Sequence, residues 1–101
     1  MLYQMVHTHT GENCPARSPE QTKSFSNWWQ SLKKTPGLKV LAGYVSPLDH
    51  TFYITVETDE YSTLTRALGT LMSFGTGRII PVLTLDQQIP IVEAGAYRSS
   101  K

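Results

Sequence analysis

A chain of 101 residues, 40% of them hydrophobic, carries apolar material for one core and leaves no room for a second. Nine Lys and Arg against eight Asp and Glu give a formal charge of +1 with no basic run, which argues against a nucleic-acid partner. The single cysteine, Cys14, excludes an internal disulfide, and no apolar run suits a membrane span or a signal peptide, so a cytoplasmic domain held by packing and hydrogen bonds is expected.

Leu2 to His7 is apolar-rich and empties into Thr-Gly and Asn-Cys-Pro, the pattern of a first strand, β1, running into a loop. Ser18-Pro19-Glu20-Gln21 is a capping-box start for a helix, α1. Its apolar stripe is Phe25, Trp28, Trp29 and Leu32, with Lys23, Gln30, Lys33 and Lys34 opposite, and Thr35-Pro36-Gly37 stops it. Leu38 to Val45 reads as β2 and Thr51 to Glu57 as β3, joined through Ser46-Pro47-Leu48-Asp49 as a hairpin. Tyr61, Leu64, Ala67, Leu68, Leu71 and Met72 trace a second helical stripe, α2, closed by Phe74-Gly75-Thr76-Gly77. Ile79 to Leu83 is β4, and Pro81 argues that it lies at a sheet edge or a bulge. The rest, with short apolar pieces at 89–92 and 94–97, is a tail or an arm that grips a partner, so the chain divides into a domain at 1–84 and a segment at 85–101.

The order βαββαβ predicts an α+β, ferredoxin-like fold: one antiparallel sheet with both helices on one face. Phe52, Ile54 and Val56 of β3 should meet the helices, leaving Tyr53, Thr55 and Glu57 on the open face. If Leu2 and Val6 also point at the helices, Tyr3, Met5, His7 and His9 share the open face, and two such faces pack together as a homodimer with cavities between the sheets.

The stretches His50-Thr51-Phe52-Tyr53, Val56-Glu57-Thr58-Asp59, Leu71 to Gly75 and Arg78-Ile79-Ile80-Pro81-Val82 resemble the DUF3303 family of small dimeric α/β-barrel proteins, over roughly residues 1–84. The resemblance implies a dimeric ferredoxin-like barrel and no activity. His7-Thr8-His9-Thr10-Gly11-Glu12-Asn13-Cys14-Pro15 departs from many members in being longer and richer in ligand-type side chains.

That departing segment holds the chemistry. His7 and His9 fall on one side of an extended strand, and a loop with Gly11 and Pro15 can fold Cys14 back toward them. Two imidazoles and a thiolate suit Zn, Cu or Fe and leave a coordination position open; the bland alternative is two polar strand-end residues and a small buried filler. Cys14 is alternatively a nucleophile with histidine as base, although no oxyanion hole is identifiable. His50 is a candidate further ligand, but with β1 and β3 expected as parallel neighbours it lies about 20 Å from His7 within one chain, at ~3.3 Å per residue, so only a partner subunit brings it close, and the plainer reading is a hairpin-turn residue. Glu57 is expected at the same end of the sheet as His7, as a ligand or a base, or simply as a carboxylate at a helix N-terminus. Of Trp28 and Trp29, about 100° apart on the helix, one should be core and one should reach a pocket rim. Arg78 can clamp a carboxylate or phosphate.

The expected function is therefore a homodimeric small-ligand or metal-binding barrel, with His7, His9 and Cys14 as metal ligands and Tyr53, Glu57, Trp28 and Arg78 toward an organic ligand. The competing expectation is a non-catalytic assembly module that uses its open face and C-terminal segment. A cofactor-free monooxygenase or isomerase activity follows only from fold analogy. The RNA-recognition alternative fails, because its third strand calls for basic-Gly-aromatic-x-aromatic where this chain has His50-Thr51-Phe52-Tyr53-Ile54.

Overall fold

The computed structural model describes residues 1–98. Four strands, β1 (Leu2–Thr8), β2 (Leu38–Ser46), β3 (Thr51–Thr58) and β4 (Thr76–Val82), lie in the order β2-β3-β1-β4, each antiparallel to its neighbours. Helices α1 (Pro19–Lys33) and α2 (Tyr61–Leu68) cover one face, as the ferredoxin-like α+β fold requires. Pro81 lies in β4, an edge strand, as its missing N–H demands.

Helix α1 starts where its cap directs. The Ser18 hydroxyl accepts the Gln21 amide at 3.1 Å and Pro19 occupies the first helical position. Helix α2 ends earlier than its apolar stripe suggests: the chain tightens into a 3₁₀ turn at Gly69–Ser73, which keeps Leu71 buried but turns Met72 outward. Tyr61, at the other end of the stripe, is also exposed. Leu64, Leu68 and Leu71 join Leu32, Leu38, Phe52, Ile54 and Val56 in the core.

Two expectations about β1 are corrected by its pairing. Tyr3, Met5 and His7 stand opposite Val56, Ile54 and Phe52, and directly opposed residues share a face, so the odd positions of β1 lie beneath the helices. Leu2, Gln4 and Val6 take the open face instead, opposite Val82, Ile80 and Arg78. Further, β1 and β3 are antiparallel, because β3 returns from its hairpin between β2 and β1. His50 therefore sits beside the end of β1 rather than a strand length away, whereas Glu57 pairs with Leu2 at the far end.

Beyond β4, Thr84 and Gln87 form a reciprocal capping box and open a third helix, α3 (Leu85–Glu93). This helix buries none of its residues; Leu85, Ile89, Ile91 and Val92 all face outward. It extends from the domain, which accounts for a radius of gyration of 16.6 Å where about 13 Å is usual for this length. Among the described residues no helix is long and apolar enough to cross a membrane.

Candidate metal centre

The end of β1 carries His7 and, just past the strand, His9, both under the α1 side of the sheet. His7 is fully buried; its ring stacks on Phe52 at 5.4 Å and meets the edge of Phe74 at 5.0 Å. Room for it depends on Gly75, where a Cβ would stand 2.4 Å from the His7 Cε1 and 2.5 Å from the Thr8 carbonyl oxygen. His9 follows at a ring separation of 5.3 Å and packs on Phe52 and Phe74 as well.

The β2–β3 turn delivers His50 to the same place. Its backbone lies in the left-handed region, φ 51°, and its carbonyl accepts the His9 amide at 3.1 Å. The two rings then meet edge to face at 5.4 Å. After His9 the chain enters a 3₁₀ turn (Gly11–Asn13), capped by the Thr10 hydroxyl, that folds back and presents Cys14. One nitrogen of His9, the Cys14 sulfur and one nitrogen of His50 lie within 4.8 Å of one another.

Among the described residues, neither ring nitrogen of His7 or His9 has a hydrogen-bond partner, though all four atoms are buried. Buried polar atoms normally find a partner, at a cost of about 1–3 kcal/mol when they do not. Burial pushes the His7 pKa down from 6.5 to about 4, and the neighbouring His9 adds to the shift. The His9 pKa is lowered as well, first by burial and then by the neighbouring His50. Both rings are accordingly neutral, the protonation state in which imidazole ligates metal.

Chemically the group offers two imidazoles and one thiol. A tetrahedral ion at ~2.0–2.3 Å from its ligands needs donor atoms about 3.4 Å apart, so side-chain adjustments of about 1 Å close the triad and leave a fourth position open. His7 lies behind His9, outside the triad; the sequence places it among the ligands because strand alternation aligns it with His9. Sequence reasoning misses His50, whose signal is only that it borders the strand pairing with β1.

The other sequence-selected residues are dispersed. Trp28 is half-buried, donates its indole N–H to the Ala67 carbonyl at 3.1 Å and lines a groove between α1 and the 3₁₀ turn after α2. Trp29 is also half-buried and lies over Gly43, with the Lys33 ammonium 5.6 Å from its ring, and both tryptophans pack against the core from its edge. Tyr53, Glu57 and Arg78 occupy the open face: Tyr53 opposite Tyr44, Glu57 opposite Lys39, and Arg78 opposite Val6. The structure brings none of those three to the histidines.

Comparison with known proteins agrees with the architecture. The crystal structure of SCO4226 from Streptomyces coelicolor A3(2) superposes with a TM-score of 0.52 at 14% identity, over 83% of this chain and all of that one. At that identity the likeness is one of fold. No curated protein matches. The model of the Domain of unknown function DUF3303 matches residues 1–96, past β4 and through α3, and the chain belongs to that family.

Proposed function

We propose that this protein is a homodimeric, transition-metal-binding domain whose ion is held by His9, Cys14 and His50. The observation that carries the reading is the pair of buried, unpartnered nitrogens on His9, set beside a second imidazole and a thiol. A ligand set of two nitrogens and one sulfur favours Zn or Cu over hard cations, with Fe as a further member of the class. Three protein ligands leave room for water or a small molecule at the fourth position, the arrangement of a site that handles or presents its ion rather than burying it. His7 supports the centre as packing: its ring backs His9 and is wedged between Phe52 and Phe74.

Metal content per chain, with and without His9 and His50, tests this. Loss of bound ion in the His9→Ala, His50→Ala double variant, with the fold retained by circular dichroism, is the expected result.

The homodimer rests on the open sheet face. Tyr53 and Tyr44 are exposed there as a cross-strand pair, and Leu2, Val6, Ile80 and Val82 continue the patch without a covering helix. A second copy supplies the matching surface by two-fold symmetry, with α3 as an additional contact. A purely associative protein is the second reading, favoured by the outward apolar residues of α3; it predicts dimers and no stoichiometric ion.

A further inference from the structure

A groove lined by Trp28 reaches the loop that carries Cys14, with Asn13 and Pro15 in its lining. Its volume is about 370 Å³, inside the range of roughly 300–1,000 Å³ usual for small-molecule sites. Its apolar lining is Phe25 and Trp28 from α1 and Leu71 and Phe74 from the 3₁₀ turn after α2. The rings are held rather than loose. Trp28 is pinned by its bond to the Ala67 carbonyl, and Phe25 lies nearly parallel to it at 5.6 Å and 26°. Phe25 in turn stacks on Phe52 at 4.9 Å, and Phe52 on His7 at 5.4 Å, so a ladder of near-parallel rings runs from the groove into the histidine cluster.

The mouth is polar, and among its lining residues Glu20 is the one charged side chain. Glu20 is exposed and forms no ion pair among the described residues. In the same first turn of α1 the Ser18 hydroxyl already accepts the Gln21 amide. Asn13 and Pro15, on either side of Cys14, form part of the same lining.

We propose that this groove binds a planar aromatic molecule carrying a cationic amine, the ring system lying against Phe25, Trp28 and Phe74 and the amine turned to Glu20. Rigid aromatic walls select a flat apolar body at small entropic cost, and a lone carboxylate at the mouth selects the sign of its polar end. The site goes beyond the metal-binding reading and does not depend on the ion; the Asn13–Pro15 loop and the rings of Phe52 and Phe74 lie between the two.

The test uses the full-length protein, stripped of metal, so that failure of the triad does not bear on the result. The probes are 2-naphthylmethylamine and its anionic counterpart 2-naphthylacetate, followed by amide and indole N–H chemical shifts. The amine should bind with Kd below about 1 mM, shifting Ser24, Phe25, Thr70 and the Trp28 indole, and the acid should bind about tenfold more weakly. Glu20→Gln should reduce that difference to about twofold. Ser24→Phe, a substitution at an exposed lining position, should abolish binding of both while the remaining spectrum stays folded. Equal affinity for the two probes, shifts located elsewhere, or no binding of the amine at millimolar concentration would overturn the proposal.

Discussion

The amide of His9 donates to the carbonyl of His50 at 3.1 Å, one residue beyond the last paired residues of β1 and β3. This single bond joins the segment that carries Cys14 to the hairpin turn that carries the third ligand. His50 adopts a left-handed backbone to make it, a conformation that costs a non-glycine residue about 1 kcal/mol or more. A glycine would relieve that cost, yet the chain has an imidazole there.

From this relationship, His50→Gly should separate function from stability. The left-handed turn is kept by glycine at lower steric cost, so thermal stability should be unchanged or rise by up to about 1 kcal/mol. Metal affinity should fall by at least tenfold, since one of three ligands is gone. Calorimetric unfolding alongside metal titration measures both; a fall in stability with unchanged affinity would contradict the assignment.

The histidine cluster should make the metal-free protein acid-sensitive. His7 titrates near 4 in the fold against 6.5 ordinarily, so between those pH values the unfolded chain binds more protons and stability is lost as pH falls. The groups facing His7 are Phe52, Phe74 and His9, so no carboxylate offsets the effect. The loss attributable to His7 is on the order of 3 kcal/mol, complete by about pH 4 and absent above about pH 7. Urea midpoints measured across pH should show it, and His7→Leu should flatten the curve over this interval.

Gly75→Ala is expected to destabilise the domain by about 1–3 kcal/mol. The new methyl meets the His7 ring and the backbone oxygen of Thr8, and a backbone neighbour cannot give way as a flexible side chain can. Displacement of His7 should also push His9 off the triad, lowering metal affinity in the same variant. A Gly75→Ala protein with unchanged unfolding midpoint would show that the ring is not confined there.

Association through the open face should respond to charge. Tyr53 pairs with Tyr44 on that face, and Tyr53→Glu, a substitution at an exposed site, should leave the monomer folded while weakening a sheet-to-sheet dimer by tenfold or more, at roughly 1.4 kcal/mol per decade. Sedimentation velocity over a concentration series reads the change directly. An unaltered dimer would move the interface elsewhere, with Ile89→Asp in α3 as the next variant to examine.

Much of the architecture was legible in residue patterns. Ser18-Pro19-Glu20-Gln21 is a cap whichever fold follows, the alternation of Phe52, Ile54 and Val56 marks a buried face, and Pro81 requires an edge. The face of β1 was not legible, because Leu2, Tyr3, Met5 and Val6 are apolar on both sides and period-two alternation has no unique solution there. Only the register with β3 decides it. The candidate site was half legible for a related reason. Local spacing pairs His9 with Cys14, but His50 is 41 positions away from His9, and a contact that long is set by strand direction rather than by local sequence. Expecting β1 and β3 parallel moved His50 to the wrong end and Glu57 to the wrong end in the opposite sense.

The central claim is that His9, Cys14 and His50 hold a transition-metal ion, and elemental analysis of tag-free protein purified without chelators tests it most directly. The account predicts about one Zn, Cu or Fe per chain, lost in the His9→Ala, His50→Ala double variant and retained in His7→Leu. Protein that stays metal-free after reconstitution under reducing conditions, or an ion that survives the double variant, would contradict it.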